Sequence, residues 1–437
     1  MGRKFSILTY GCQMNENDSE WISGILHREG YDQAESLSKA DLILVNTCSI
    51  RDKAEQKVYS KLGQLAALKA QNPNLKIAVC GCVAQRLGKD VVRRAPVVDL
   101  VFGTQNIGRL PELLGQLEAG GRSVVDIEPV PFDWDADTPV IRQNKIKAFV
   151  TVSVGCNKNC SFCIVPATRG REISKPQEVI LKEVRALARD GYREVTLLGQ
   201  NVNSYGRDLA KTPAFPELLR AVAGVDGIER VRFTTSHPRD LSPALIEVMA
   251  SEAKVCEYFH LPIQSGSDRM LKRMYRGYSA KAYLEKVRTL REALPHIALT
   301  TDIITGFPGE MEKDHRETLK VLAEAEFDNI FLFKYSVRPG TPAAEFADQV
   351  PDEVKSRRFD ELMSLQTEIT GRKNRALKGT VVEVLVEGPS PKALGKLTGR
   401  TRTNKIVNFY GPLRLVGRTV PVEITRSGLY SLEGRAA

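Results

Sequence analysis

Short apolar runs alternate with amphipathic stretches over the first hundred residues of the chain. Apolar runs of strand length occupy residues 5–9, 42–45 and 77–79, and helical periodicity occupies residues 17–28, 52–70 and 83–94. Because strands that alternate with amphipathic helices pack as a helix-covered sheet, this pattern predicts an open, mostly parallel α/β sheet. Ligands of such sheets bind at the carboxyl ends of the strands.

The middle of the chain repeats this alternation after an acidic, proline-containing linker. The predicted strands span residues 148–154, 194–198, 230–235, 258–263, 298–304 and 330–334. Six strand–helix units of this length predict a partial TIM-like (βα)6 barrel, whose reactive groups lie at the carboxyl ends of the strands. Glycine and polar residues near these strand ends are therefore the candidates for ligand contacts, namely Gly199, Gln200, Asn201, Ser236, Gln264 and Asp302.

The C-terminal segment shows a third pattern. Short runs rich in Val and Ile, at residues 380–387, 405–409 and 418–424, are separated by glycine and proline. Short strands with turn signals at this spacing predict a small antiparallel β-barrel. The chain is therefore divided into predicted domains at residues 3–119, 142–371 and 372–437, with a linker at 120–141.

The distribution of charge suggests a binding partner for the last predicted domain. Residues 371–437 contain 13 Lys and Arg against 4 Glu and no Asp, whereas the first 370 residues contain 50 basic and 49 acidic side chains. A basic folded end on a nearly neutral body predicts binding to a polyanion, most simply nucleic acid. The alternative is a solvated basic surface that binds no partner.

Composition restricts the class of protein. A chain of 437 residues with 42% hydrophobic and 27% charged residues is typical of a soluble protein with two or three domains. No apolar run approaches the roughly 18 residues that cross a bilayer, so we expect a cytoplasmic protein that binds no membrane. Eight cysteines are too sparse for a disulfide framework. Two of them, Cys80 and Cys256, are expected to pack in the core.

Three other cysteines lie on one short loop after the strand predicted at 148–154. Cys156, Cys160 and Cys163 supply three soft thiolates, which suit one face of a four-iron four-sulfur cluster and leave one iron open. Zinc is the stronger alternative to this interpretation, but zinc sites usually close with a fourth ligand in a second cysteine or histidine pair. No second tight pair with ligand spacing occurs in the sequence.

The remaining cysteines each follow one of the first three predicted strands. Cys12, Cys48 and Cys82 therefore converge at one edge of the predicted sheet and suggest a second three-cysteine cluster. Gly11 and Gly81 precede two of these thiolates, and we expect them to allow close approach of the backbone to a bulky cofactor.

The loop with Phe162 beside its last cysteine resembles the C-x3-C-x-aromatic-C loop of the radical S-adenosylmethionine enzymes. Three further motifs resemble the methylthiotransferases of that superfamily, and within them the tRNA-2-methylthio-N6-dimethylallyladenosine synthases. They are Tyr10-Gly-Cys-Gln-Met-Asn15, Asn46-Thr-Cys-Ser-Ile-Arg-Asp-Lys-Ala-Glu55 and Leu197-Leu-Gly-Gln-Asn-Val-Asn203. The resemblance covers the whole chain and implies an α/β domain with an auxiliary cluster, a radical barrel and a C-terminal TRAM barrel that binds RNA. Ala167 departs from the family, which often has an aromatic residue there.

The resemblance implies the cofactors and their ligands. They are two 4Fe-4S clusters, one on Cys12, Cys48 and Cys82 and one on Cys156, Cys160 and Cys163, together with S-adenosylmethionine. Phe162 would pack near the cofactor adenine. The candidates for polar contacts to the cofactor are the six residues named above, Gly199, Gln200, Asn201, Ser236, Gln264 and Asp302. Radical chemistry needs no general base beforehand, so no protein acid or base is assigned.

The implied reaction is methylthiolation of C2 of N6-(dimethylallyl)adenosine at position 37 of tRNA, next to the anticodon. The implied partners are the tRNA anticodon loop and a reductant protein such as a flavodoxin or ferredoxin, and the chain is expected to be a monomer. The sulfur donor is not indicated. We expect removal of residues 371–437 to weaken tRNA binding and to leave S-adenosylmethionine cleavage intact.

Three alternatives remain open. A sister methylthiotransferase acts on threonylcarbamoyladenosine in tRNA and shares both clusters. Another sister modifies an aspartate of a ribosomal protein, for which a basic RNA-binding end is less necessary. A non-enzymatic iron-sulfur RNA-binding protein is the alternative from a different class, and the polar turns at the strand ends argue against it.

Overall fold

The computed structural model describes residues 2–49, 52–120, 123–132, 134, 140–142, 144–209 and 214–436. The chain forms two units. The first comprises Met1–Gln143, Thr151–Lys158 and Cys163–Val179, and the second comprises Asn144–Val150, Asn159–Phe162 and Ile180–Ala437. The side chains of residues 52–55, which belong to the second sequence motif, and much of the predicted linker lie outside the described residues. The four domain boundaries given above stay a prediction.

The elements of the N-terminal part follow the predicted alternation. Its strands are β1 (Arg3–Thr9), β2 (Tyr31–Gln33), β3 (Leu42–Thr47), β4 (Lys76–Gly81), β5 (Leu100–Phe102) and β6 (Val124–Asp126). Its helices are α1 (Gln13–Arg28), α2 (Asp52–Gln71), α3 (Cys82–Leu87), α4 (Lys89–Arg94) and α5 (Leu110–Glu118). The single helix predicted over residues 83–94 is wrong, because Gly88 has a positive φ of 48° and separates α3 from α4.

A six-stranded sheet in the order β2-β1-β3-β4-β5-β6 forms the first unit, and all of its strand pairs are parallel. This confirms the predicted sheet. The four apolar residues that begin β3 show why it is buried on both faces. Leu42 and Leu44 pack in one core cluster, while Ile43 and Val45 pack in another. A continuous apolar run is the sequence signature of a parallel strand whose two faces are both covered.

In the described residues, the middle of the chain forms eight strands and eight α-helices. The strands are β7 (Lys147–Thr151), β8 (Ser153–Val154), β9 (Ile173–Ser174), β10 (Glu194–Leu198), β11 (Arg230–Thr234), β12 (Tyr258–His260), β13 (Ala298–Thr305) and β14 (Asn329–Lys334). The helices are α6 (Val165–Arg169), α7 (Gln177–Arg189), α8 (Phe215–Ala223), α9 (Pro243–Ser251), α10 (Asp268–Arg273), α11 (Ala280–Ala293), α12 (Glu312–Ala325) and α13 (Asp352–Arg375).

Six of these strands form the predicted partial barrel. They pair as two three-stranded sheets in the orders β11-β10-β7 and β12-β13-β14. A parallel bridge between Val231 of β11 and Val255, just before β12, joins the two sheets. Two of the six predicted strands are wrong in extent: the strand predicted at 148–154 is divided into β7 and β8, and the one predicted at 258–263 ends at His260 as β12. The bounds of the other four agree with the prediction to within one residue.

The C-terminal segment is the closed barrel that the sequence predicts. Its strands are β15 (Val381–Pro389), β16 (Leu397–Thr401), β17 (Ile406–Tyr410), β18 (Thr419–Ser427) and β19 (Leu432–Ala436), which close in the order β15-β16-β17-β19-β18. One pair, β17 with β19, is parallel, so the barrel is not antiparallel throughout. Its interior is filled by apolar side chains such as Val384, Val407 and Phe409.

Two buried arginines of β11 connect this barrel to the partial (βα)6 barrel within the second unit. Arg230 donates to the main-chain oxygen of Arg400 at 2.7 Å, and Arg232 donates to those of Thr401 and Arg402 at 2.8 and 2.7 Å. Arg402 in turn donates to both carboxylate oxygens of Glu257. The main-chain oxygens that accept these bonds lie at the end of β16 and in the turn after it. The C-terminal barrel therefore satisfies polar groups of the core that would otherwise be buried without partners.

Among the described residues, no helix combines the length and apolar character needed to cross a membrane.

Candidate functional site

The cysteines predicted to form the auxiliary set lie at one edge of the parallel sheet. Cys12 precedes α1 after β1, Cys48 follows β3, and Cys82 begins α3 directly after β4. The strands β1, β3 and β4 are neighbours in the sheet, so the structure brings the three strand ends together. Within the described residues, none of the eight cysteines forms a disulfide.

Asparagines of two of the sequence motifs hold this edge in place. The side-chain amide of Asn15, on α1, donates to Asn46 Oδ1 and to the Thr47 main-chain oxygen, both at 3.0 Å. The amide of Asn46 returns a bond to the Asn15 main-chain oxygen at 2.9 Å. Both asparagines are fully buried. This reciprocal pairing fixes the helix that follows Cys12 against the strand that precedes Cys48.

The same asparagines give the two glycines a structural role. A Cβ atom on Gly11 would lie 2.2 Å from Asn15 Oδ1, and one on Gly81 would lie 2.5 Å from both Asn46 Oδ1 and the Thr47 main-chain oxygen. Gly81 also has a positive φ of 87°. The glycines are therefore required by the protein's own asparagine network, and the close approach to a cofactor that the sequence suggested is not needed to explain them.

A buried ion pair that the sequence did not reveal lies beside two of these thiols. Arg169, at the end of α6, donates to Asp18 Oδ2 at 2.6 Å, and both side chains are almost fully buried. Burial raises the pKa of the Cys12 thiol, and the Arg169 guanidinium acts in the opposite direction. Asp18 and the Cys82 and Cys12 thiols hold the pKa of Arg169 well above its ordinary value despite burial. Arg169 follows the cysteine loop in sequence, which is the only signal that could have identified it.

The helix that carries Arg169 is bonded to the same unit at two more points. Thr104 Oγ1 donates to the Thr168 main-chain oxygen at 2.7 Å, and Gln105 Nε2 donates to that of Arg169 at 3.3 Å. The main-chain N–H of Cys156 donates to the Gly170 oxygen at 3.2 Å. The segments on either side of Cys160–Phe162 are therefore packed within the first unit.

Cys160 belongs to the second unit and receives a charged hydrogen bond there. Arg276 Nη1 donates to Cys160 Sγ at 3.3 Å, while its Nη2 donates to the Pro262 main-chain oxygen at 2.7 Å. The next residue, Ser161, is bonded at its N–H to the Met274 oxygen and at its hydroxyl to the Arg273 oxygen. The turn after α10 therefore holds the middle of the cysteine loop.

The residues predicted to contact S-adenosylmethionine occupy unequal positions. Gly199 exchanges main-chain bonds with Thr234 and Thr235, so it lies where β10 and β11 end together. Ser236 follows the same strand end, and its buried hydroxyl has no hydrogen-bond partner within the described residues. Gln200 lies next to Gly199 and is half-buried. These positions are compatible with the predicted contacts, which stay predictions.

Three other candidates have structural roles of their own. Asn201 is buried and donates to Asp240 Oδ2 at 2.8 Å. Gln264 has a positive φ of 78° and bridges β13 through its main chain. Asp302 does not end its strand as expected, because β13 continues for three more residues; its carboxylate lies 3.6 Å from His260 Nε2. Main-chain and ion-pair roles of this kind depend on strand register, which the sequence pattern does not specify.

The remaining predicted residues are aromatic or core positions. Phe162 is half-buried and packs edge-on against Phe307, with the ring centroids 6.4 Å apart. Cys80 lies in an apolar core cluster, as predicted. Cys256 is buried too, but its surroundings include Arg232 and Glu194, and burial raises the pKa of its thiol.

Comparison with known proteins places this geometry in a family. Residues 4–103 match "Uncharacterized protein family UPF0004", residues 150–322 match the "Radical SAM superfamily" and residues 375–437 match the "TRAM domain". A protein of Clostridium botulinum (strain Okra / Type B1) named tRNA-2-methylthio-N(6)-dimethylallyladenosine synthase is 49% identical over 433 residues, which cover 99% of this chain and 96% of that protein. The chain belongs to the tRNA-2-methylthio-N(6)-dimethylallyladenosine synthase family.

Two further members of the family support the assignment. The proteins of the same name from Sulfurihydrogenibium sp. (strain YO3AOP1) and Aquifex aeolicus (strain VF5) are 50% and 48% identical, each over 99% of this chain and 98% of its own length. Among solved structures, the radical S-adenosylmethionine methyltransferase TsrM from Kitasatospora setae aligns with a TM-score of 0.58 at 14% identity, over 78% of this chain and 75% of that chain. At that identity the likeness shows the fold alone.

The residues at the sheet edge fit the iron-sulfur cluster that this family implies. Three cysteines lie at adjacent strand ends, and the buried hydroxyl of Ser49, next to Cys48, has no partner within the described residues. In the part of the chain that the structure describes, no three His, Cys, Asp or Glu side chains are grouped as ligands of one metal ion. A four-iron cluster does not require such a group, because each of its cysteines binds a different iron.

Proposed function

We propose that this chain is the methylthiotransferase that converts N6-(dimethylallyl)adenosine at position 37 of tRNA into its 2-methylthio derivative. The observation that carries the proposal is the identity of about half of all residues, over 99% of the chain, with proteins named for that reaction. The two three-cysteine sets and the basic C-terminal barrel agree with it. We further propose that the protein acts in the cytoplasm as a monomer.

We assign one iron-sulfur cluster to each set of three cysteines. Cys156, Cys160 and Cys163 would hold the cluster that reduces S-adenosylmethionine, and Cys12, Cys48 and Cys82 would hold the auxiliary cluster. When bound, the first supplies one electron for cleavage of S-adenosylmethionine and the second supplies the site at which sulfur is held. A reductant protein such as a flavodoxin or ferredoxin would deliver the electron.

The chain's own side chains prepare both sites. Asn15 and Asn46 hold the strand ends that carry Cys12 and Cys48, and Arg276 and Ser161 hold the middle of the loop that carries Cys160. Gly199 lies at the paired ends of β10 and β11, and the buried hydroxyl of Ser236, which has no hydrogen-bond partner within the described residues, lies after the end of β11. Buried polar groups without a protein partner are the positions at which a ligand gains most from a hydrogen bond.

The C-terminal barrel would bind the tRNA through a subset of its basic residues. Among the described residues, seven of the thirteen Lys and Arg side chains in this segment form ion pairs. The other six described basic side chains are exposed and form none: Arg375, Lys378, Lys392, Arg414, Arg418 and Arg426. Two exposed tyrosines, Tyr410 and Tyr430, add aromatic faces on which RNA bases stack.

Nucleoside mass spectrometry of tRNA from cells with and without this protein tests the reaction. We expect loss of the 2-methylthio group from dimethylallyladenosine in the deletion strain and its return with the intact gene but not with Cys160→Ala. Loss of the methylthio group from threonylcarbamoyladenosine instead would assign the chain to the sister tRNA enzyme. Unchanged tRNA together with an unmodified ribosomal aspartate would assign it to the ribosomal sister.

A charge-replacement variant tests the role of the barrel. Replacing the six exposed, unpaired basic residues with Gln should weaken tRNA binding and flatten the dependence of log K on log salt, by about 0.7–0.9 for each phosphate that the barrel no longer neutralises. The matched control replaces Arg372 and Arg435, which are exposed but ion-paired to Glu326 and Glu423. An unchanged salt slope in the six-residue variant would show that the barrel does not bind the RNA backbone.

The structure makes truncation a poorer test than the sequence suggested. Removing residues 371–437 would leave the guanidinium groups of Arg230 and Arg232 without the carbonyl oxygens that accept their bonds. Even with water in place of the carbonyl oxygens, each lost hydrogen bond from a charged donor costs about 1.5–3 kcal/mol. We therefore expect the truncated protein to lose core stability, and S-adenosylmethionine cleavage with it.

A further inference from the structure

Arg276 is a buried cation with an unusual set of neighbours. Its side chain is 4% exposed and makes three hydrogen bonds, to the Tyr278 hydroxyl at 2.9 Å, to the Pro262 main-chain oxygen at 2.7 Å and to Cys160 Sγ at 3.3 Å. Each of its three nitrogens is therefore directed to one partner. A guanidinium with all nitrogens occupied is fixed in position.

None of these partners is a carboxylate. Three other deeply buried arginines face one: Arg169 faces Asp18, Arg232 faces Glu194 and Arg358 faces Glu310. A fourth, Arg230, is bonded to main-chain oxygens and, among the described residues, contacts no cysteine sulfur through a hydrogen bond. Within the described residues, Arg276 forms no ion pair with Asp or Glu. A buried charge is strongly unfavourable unless a counter-charge compensates it. The partner that can carry that negative charge is the sulfur of Cys160.

The surrounding turn holds this arrangement against both sides of the cysteine. Tyr278 also donates to the Ile263 oxygen at 2.9 Å, and its ring lies 5.4 Å from the guanidinium carbon. On the other side, the N–H of Ser161 donates to the Met274 oxygen at 3.1 Å. The positions of the guanidinium and the thiol are therefore coupled through the main chain of one turn.

We propose that Arg276 is a positioning residue that raises the reduction potential of the cluster bound by Cys156, Cys160 and Cys163. The proposal rests on the proposed function, since it takes Cys160 as a ligand of that cluster. One-electron reduction adds one negative charge to the cluster while the donor is oxidised by one electron. A fixed positive charge and an N–H···S bond stabilise the reduced form more than the oxidised form, so the potential rises.

The test is a redox titration of the full-length protein in which Cys12, Cys48 and Cys82 are changed to Ala, so that one cluster gives the signal. Dithionite sets the potential, and electron paramagnetic resonance measures the reduced fraction. In Arg276→Gln we expect the ratio of reduced to oxidised cluster at a fixed potential to fall about tenfold, which is 59 mV for a one-electron couple. In Arg276→Lys, which keeps the charge but loses the planar fork, we expect a smaller fall.

Arg291→Gln is the matched control. Arg291 lies in the same unit and also donates to main-chain oxygens, those of Ala325 and Glu326, but it does not contact a cysteine. Its replacement should leave the potential at the parent value. A shift as large as that of Arg276→Gln would show that the effect is a general one of losing a cation bonded to main-chain oxygens, and would overturn the proposal.

The remaining outcomes are equally decisive. A parent protein that binds no iron at the loop would remove the proposed function itself. A parent that binds a cluster whose potential is unchanged in Arg276→Gln would overturn the Arg276 proposal alone. If Arg276→Gln does not retain iron, Arg276→Lys decides: a lowered potential supports the proposal and a parent-like potential overturns it.

Discussion

Two arginines, each beside a cysteine of a different set, show how the same ligand chemistry is placed in different electrostatic surroundings. Arg169 lies in the first unit beside Cys12 and Cys82 and is neutralised by Asp18. Arg276 lies in the second unit, bonds to Cys160 and has no carboxylate partner within the described residues. A neutral pair leaves the charge of its site to the thiolates, whereas an unpaired cation favours a cluster that has gained an electron.

The comparison predicts that substitutions in the two sets of cysteines impair different steps of the reaction. This is the largest expected effect. Cys160→Ala should abolish S-adenosylmethionine cleavage, because the cluster that supplies the electron loses a ligand. Cys48→Ala should retain cleavage and lose methylthiolation. An anaerobic assay that quantifies 5'-deoxyadenosine and methylthiolated RNA in parallel checks both. Methylthiolation at the parent rate by Cys48→Ala would contradict the division of roles.

The second prediction removes the counter-charge of Arg169. Asp18→Asn leaves a buried guanidinium without its carboxylate, and breaking a buried pair in this way costs about 3–5 kcal/mol. Calorimetry of the reconstituted protein should therefore show a lower unfolding temperature. Asp90→Asn is the matched control, because the Arg93–Asp90 pair is exposed and should change stability by less than about 1 kcal/mol. Equal effects of the two variants would show that Asp18 does not compensate Arg169.

The third prediction concerns removal of iron. Because the cluster would supply the negative partner of Arg276, chelation should destabilise the parent more than Arg276→Gln. The difference between the two losses should be about 1.5–3 kcal/mol, the usual contribution of a hydrogen bond to a charged group. Thermal unfolding of both proteins with and without iron completes the cycle. Identical losses in both would argue against any coupling between Arg276 and the cluster.

The smallest expected effect tests how Arg276 is oriented. Tyr278→Phe removes the hydroxyl that accepts from Arg276 Nε at 2.9 Å and leaves that buried donor without a partner, which should cost about 1–3 kcal/mol. Since Nη1 and Nη2 keep their partners, we expect the potential of the cluster to fall less than in Arg276→Gln. The same redox titration measures it. A fall as large as that of Arg276→Gln would make the hydroxyl, and not the guanidinium, the determining group.

The sequence predicted what depends on local pattern and missed what depends on distant contacts. The run Leu42–Thr47 predicts a buried parallel strand. The loop from Cys156 to Cys163 predicts a metal site with soft sulfur ligands. Arg276 lies 116 residues from the cysteine it contacts, and Asp18 lies 151 residues from Arg169. No local periodicity encodes such pairs, because they are created by the packing of separate elements.

The hydrogen bonds between β11 and the C-terminal barrel have a consequence for folding during synthesis. The hydrogen bond from Arg232 to Thr401 can form only after Thr401, 169 residues further along the chain, has been synthesised. At a ribosome that adds about 5–20 residues each second, synthesis of this stretch takes roughly ten seconds or more, and until then Arg230 and Arg232 are bonded to water and not to the C-terminal barrel. The radical barrel therefore reaches its final stability only when synthesis is nearly finished, which couples its maturation to the arrival of the RNA-binding end.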